Sequence, residues 1–137
     1  MNELTIDAKP ENLDAVQDFV AEKLKSANCP IELQMQIAVA VEEIFVNIAY
    51  YAYSSKVGSV TIRMTTENSV VIEFEDNGKS YNPLEEKDPD ITASAKNREV
   101  GGLGIFIIKK TMDTVEYQRI GNKNILTIRK NFPQLYT

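Results

Sequence analysis

The stretch from Ile31 to Tyr53 constrains this chain most. It reads as one long helix that is apolar on almost every side, through Leu33, Met35, Ile37, Val39, Val41, Ile44, Phe45, Val46 and Ile48. A helix of that kind belongs in the middle of a domain. Its few polar residues are therefore informative. Glu43 and Asn47 stand four positions apart, so they lie one above the other on a single face, which Gln36 and Ala40 continue. Glu42 points roughly 100° away. A buried carboxylate or amide without a partner costs roughly a few kcal/mol. Two accounts meet that requirement: a satisfied internal hydrogen-bonded pair, or a metal ligand plus a base that look into a ligand pocket.

The flanking segments supply the layers around this helix. Leu4, Ile6 and Ala8 alternate with polar residues, as in a short strand. Pro10 opens a helix whose apolar face is Leu13, Val16, Val20 and Leu24, with Asp14, Gln17, Asp18 and Lys25 turned outward. Asn28-Cys29-Pro30 breaks it. Val60, Ile62 and Met64, then Val70, Ile72 and Phe74, alternate on either side of the Glu67-Asn68-Ser69 turn and read as an antiparallel hairpin. Asp76 has the parity of Phe74, so its carboxylate is directed to the core side, and Asn77-Gly78 follows as a tight turn. From Lys79 to Val100 there is no convincing period, only Pro83, Pro89, five acids and small residues. A loop of that length in a compact domain reads as a functional lid or a disordered segment, and its place between the Asp76 turn and the glycine-rich loop is where a lid over a ligand would be. Thr114 to Ile120 and Ile125 to Lys130 are strands about a Gly121–Asn124 turn, and the tail from Asn131 reads as loop. The predicted fold is α+β: a two-layer sandwich in a single domain, residues 1–137, with a mixed, mainly antiparallel sheet and all helices on one face.

Between lid and last hairpin lies Val100-Gly101-Gly102-Leu103-Gly104, running into Ile105, Ile108 and Met112 at helical spacing. Glycines let backbone approach a ligand closely, and a helix start offers unpaired N–H groups and partial positive charge. Together they predict an anion site, most often for phosphate. The alternative is a flexible loop that merely precedes a helix.

Composition removes several chemistries. The formal net charge of −5 and the lack of any basic run argue against nucleic acid. There is no histidine, so acid–base work falls to Asp, Glu, Lys or Tyr. Cys29 is the single cysteine, which excludes an internal disulfide and fits a reducing cytoplasm. The N-terminus does not read as a signal peptide, and no apolar run approaches membrane-spanning length.

Three signals thus occur in order: Glu43 to Asn47 on a helix, Asp76-Asn77-Gly78 at a strand end, and Gly101-Gly102-Leu103-Gly104 at a helix start. In this order they resemble the N, G1 and G2 boxes of the ATP-binding superfamily that includes gyrase, Hsp90, histidine-kinase and mismatch-repair ATPases, the Bergerat fold. Asp76-Asn77-Gly78-Lys79-Ser80-Tyr81-Asn82-Pro83, Gly102 to Ile108, Met112-Asp113 and Asn124 to Ile128 are similar, more narrowly, to the bacterial anti-sigma-factor serine kinases. The resemblance implies roles. Asn47 would coordinate Mg²⁺ bridging the ATP phosphates. Asp76 would accept the adenine amino group, and Gly78 would let the backbone pass under the base. Gly102, Leu103 and Gly104 would offer N–H groups to the phosphates, and Thr127 would contact adenine. Glu43 would be the general base toward a serine hydroxyl. The implied partners are a STAS-type antagonist and a sigma factor, with a homodimer common among relatives; the alternative is a non-catalytic module whose nucleotide switches partner binding. Ser80 replaces the second G1 glycine, Tyr51 stands where many relatives carry histidine, and Thr127 has the strand parity of Ile125 rather than of Leu126 and Ile128.

Overall fold

A computed structural model describes residues 2–53, 56–85 and 102–133. The chain runs β1 (Asn2–Asp7), α1 (Leu13–Ser26), α2 (Ile31–Tyr51), β2 (Ser59–Thr65), β3 (Ser69–Asp76), α3 (Gly102–Thr111), β4 (Thr114–Ile120) and β5 (Lys123–Asn131). A 3-10 turn at Pro10–Asn12 leads into α1. Asn28, left-handed at φ 57°, ends that helix, and its N–H and that of Cys29 satisfy the Lys25 and Leu24 carbonyls. Pro30 then sits at the N-cap of α2, where its missing N–H costs nothing.

The sheet order is β1-β2-β3-β5-β4, and each neighbouring pair is antiparallel, so the expected mixed sheet is antiparallel throughout these strands. One face carries the alternating apolar set: Val60, Ile62 and Met64 on β2, Val70, Ile72 and Phe74 on β3, Leu126 and Ile128 on β5, all buried. Against it pack Val16, Val20 and Leu24 of α1, Ile37, Val41, Ile44 and Phe45 of α2, and Ile105 and Ile108 of α3. Each such side chain contributes about 1.5–3 kcal/mol on leaving water. The other face is polar. There Arg63 donates to Glu3 at 2.8 Å and Glu75 at 3.0 Å, and Lys123 lies 3.4 Å from Glu75. Burial alone would raise the Glu75 pKa, but the hydrogen bond and charge of Arg63, helped by Lys123, lower it overall.

Two expectations about the helices need correcting. α2 is a wall of the core and not its axis: Ile31 is 67% exposed, Met35 64% and Tyr50 61%. The helical layer is one helix thick, so only the side of α2 turned to the sheet and to its neighbours is covered. Gln17, expected outward, instead donates to the Ala38 carbonyl at 2.8 Å and ties α1 to α2. α2 ends at Tyr51, close to the expected limit, and β5 begins at Lys123 and continues to Asn131. The β4–β5 turn is therefore only Gly121-Asn122, with Gly121 in the left-handed region at φ 59° where glycine is favoured. The expected lid is described only to residue 85, with a 3-10 turn at Pro83–Glu85; its remainder lies outside the described residues, as does the tail beyond residue 133. Among the described residues no helix is long and apolar enough to cross a membrane.

Candidate functional site

Strand parity carries Asp76, the last residue of β3, onto the buried face beneath α2, opposite Val60 on one side and Asn124 on the other. A carboxylate there needs donors, and the turn that follows provides them. Its Oδ1 accepts the Gly78 N–H at 2.8 Å and the Asn124 amide N–H at 2.9 Å. The same Asn124 nitrogen donates to the Lys79 carbonyl at 2.9 Å, while Asn124 Oδ1 accepts from the Tyr117 hydroxyl at 2.5 Å and from Arg119 at 3.1 Å. Arg119 donates in addition to the Gly78 carbonyl at 2.8 Å.

The turn is fixed on its other flank as well. Lys79 N–H reaches the Ala52 carbonyl at 3.0 Å. Asn77 N–H donates to the Tyr53 hydroxyl at 2.9 Å, and that hydroxyl donates to the Ser59 carbonyl at 2.6 Å. Burial pushes the Tyr53 phenol pKa up, so it keeps the proton this relay needs. Gly78 passes so close to the end of α2 that an added methyl would run into the Ala52 carbonyl, which gives a physical reason for glycine there.

Beside Asp76 opens a cleft walled by Ile44, Ile48, Tyr51 and Leu126, with Asn47 and Asp76 among its polar groups. Apolar walls with a few placed polar groups suit a flat ring that carries donors on its edge. Asn47 faces this cleft from α2. One turn earlier, Glu43 is half-buried, and burial, reinforced by the neighbouring charge of Glu42, raises its pKa above the usual carboxylate range. Its carboxylate lies against Gly104: a methyl added there would overlap Glu43 Oε2. α2 thus presents Asn47 to the cleft and Glu43 to the first turn of α3. Gly102, Leu103 and Gly104 form that turn. Gly101 lies outside the described residues.

Thr127 is the expectation the structure overturns. It pairs with Glu73 and Glu116, on the polar face of the sheet, because Asn124, Leu126 and Ile128 occupy the inward parity of β5. The residue that stands next to Asp76 is Asn124. Its Gly-Asn-Lys-Asn context reads as turn, yet its parity with Leu126 carried the signal. Tyr51, without an assigned role in the sequence, forms a wall of the cleft.

Residues 6–130 match the model of the histidine kinase-like ATPase domain. The chain is 28% identical over 127 residues to the anti-sigma F factor of Caldanaerobacter subterraneus subsp. tengcongensis, covering 92% of this chain and 89% of that protein. It is 26% identical over 119 residues to the serine-protein kinase RsbW of Listeria monocytogenes, covering 82% and 76% of the two chains. In fold it resembles the histidine kinase domain of the Erythrobacter litoralis EL346 blue-light activated histidine kinase, with a TM-score of 0.56 at 16% identity; the match covers 88% of this chain and spans 61% of that one. On the extent of the family match, the chain belongs to the histidine kinase-like ATPase domain family.

Proposed function

We propose that this protein is an ATP-dependent protein serine kinase and anti-sigma factor that phosphorylates a STAS-type antagonist on serine. The observation that carries the reading is the placement of Glu43. Its carboxylate abuts the glycine-rich start of α3, one turn of α2 from Asn47, whose side chain borders the Asp76 cleft. In this reading adenine lies in the cleft with its amino group donating to Asp76, and Gly78 leaves room for the ring. The phosphates lie at the first turn of α3, where the N–H groups of Gly102, Leu103 and Gly104 and the helix dipole favour negative charge.

A Mg²⁺ ion taken up with the nucleotide would be held on the protein side by Asn47. When bound, the ion neutralises phosphate charge. Glu43 takes the proton from the incoming serine hydroxyl. The serine oxygen bonds to the γ-phosphorus as the bond to the β–γ bridging oxygen breaks, and ADP leaves. Such transfer needs positioning and charge neutralisation more than covalent help from the protein. Relatives named as an anti-sigma F factor and a serine-protein kinase support the choice of a protein serine as acceptor and of a sigma factor as a second partner.

The test is incubation with γ-labelled ATP, Mg²⁺ and its cognate STAS-type antagonist, alongside a Glu43→Ala variant. Label on an antagonist serine with the native protein, and its loss with Glu43→Ala, is the expected result. Nucleotide binding without transfer would instead leave a nucleotide-switched binding module.

A further inference from the structure

Asn124 uses its whole hydrogen-bonding capacity. Its amide nitrogen donates to Asp76 and to the Lys79 carbonyl, and its oxygen accepts from Tyr117 and Arg119. An amide has two orientations of nearly equal shape, so something must choose between them. Arg119 has donors only. A flipped Asn124 would turn its NH₂ group on the guanidinium and its oxygen on the Asp76 carboxylate and the Lys79 carbonyl. The acceptors Asp76 and Lys79 on one side and the donor Arg119 on the other select the same orientation, and Tyr117 and Arg119, both on the edge strand β4, anchor the amide oxygen in place.

That orientation fixes Asp76 in turn. With Gly78 N–H and Asn124 both on Oδ1, the second carboxylate oxygen is the one with acceptor capacity to spare. We infer that Tyr117 and Arg119 are positioning residues for base selection, holding Asp76 through Asn124 as a fixed acceptor that takes 6-amino purines and refuses 6-oxo purines. The inference rests on the ATP reading above. A 6-amino group donates to the free oxygen. A 6-oxo group brings an acceptor against an acceptor, and a buried polar pair so mismatched is disfavoured strongly. Without that anchor Asn124 can swing away, so Asp76 loses one of its two donors and can rotate, and the distinction weakens.

The experiment uses the whole chain and measures the competition of ATP and of inosine triphosphate against labelled ATP at fixed Mg²⁺. The variants are Tyr117→Phe, Arg119→Met, the two combined, and Arg119→Lys. The preference for ATP over inosine triphosphate is expected to fall about tenfold in the combined variant and less in each single one. Arg119→Lys, which keeps a donor, is expected to stay nearer the native ratio. A purely structural role would weaken both nucleotides alike, and an unchanged ratio in the folded variants overturns the inference. Should the combined variant not fold, the two single variants carry the same decision. Native protein that binds neither nucleotide rejects the ATP reading itself, and the inference with it. Native protein with a strong ratio that the variants do not disturb rejects the inference alone.

Discussion

The Glu43 carboxylate rests against the α-carbon of Gly104, so the residue cast as general base and the glycine that opens α3 occupy adjoining space. Gly104→Ala places a methyl where Glu43 Oε2 lies. Alanine is the better helix former by up to about 1 kcal/mol, and the carboxylate is the far end of a flexible side chain. The strain is relieved by swinging Glu43 aside. Thermal melts are expected to change by less than about 1 kcal/mol in folding free energy, while phosphoryl transfer falls by about a hundredfold, the loss typical of a group displaced by about an ångström.

Gly78→Ala meets a different obstacle. Its methyl collides with the Ala52 carbonyl, which is backbone and accepts the Lys79 N–H. Neither can retreat without loosening the turn that holds Asp76. Chemical denaturation is expected to give a loss of about 1–3 kcal/mol, as for other overpacked sites, with a parallel loss of ATP affinity in calorimetry.

The contrast between these glycines bears on what could be read from residues alone. Strand parity placed Asp76 inward, and helical spacing put Glu43 and Asn47 on one face, because both depend only on local geometry. Parity also pointed Thr127 outward, where β5 carries it. The place of Asn124 was hidden because turn-forming composition outweighed its parity, and its four hydrogen bonds come from segments distant in sequence. The outer side of α2 was misjudged for a related reason. An all-round apolar pattern signals burial, but only the layering decides how many sides are covered, and Met35 stays 64% exposed. No local pattern reports that a glycine is needed beside a particular carbonyl.

Glu43 offers a titration that separates base from bystander. Its pKa stands above the ordinary 4.5, chiefly from burial and then from the charge of Glu42. A base works only when ionised, so transfer is expected to rise with pH through a midpoint above 4.5. Glu43→Gln is expected to lower the rate by about 10²–10⁴ and to abolish that limb of the profile, with nucleotide affinity changed only a few-fold. A raised carboxylate pKa favours the folded state at low pH, and that contribution is lost as pH rises through the folded value. The glutamine variant is therefore expected to be at least as stable as the native protein at neutral pH.

The polar face has the opposite sign. Glu75 is held below its ordinary 4.5 by Arg63 and Lys123 against the effect of burial, so its contribution is present above 4.5 and disappears as pH falls through the folded value. Arg63 is partly exposed, which limits the gain through solvent screening. Arg63→Met is expected to cost less than about 1 kcal/mol at neutral pH, and the difference from native protein should shrink on acidification below pH 4.5 in urea melts.

A crystal structure with Mg²⁺ and a non-hydrolysable ATP analogue measures the central claim most directly. The account predicts adenine in the cleft with its amino nitrogen in hydrogen-bond reach of Asp76, the ion on Asn47, and the terminal phosphate between Glu43 and the first turn of α3. Adenine bound elsewhere, or phosphates directed away from Glu43 and Gly104, would contradict it.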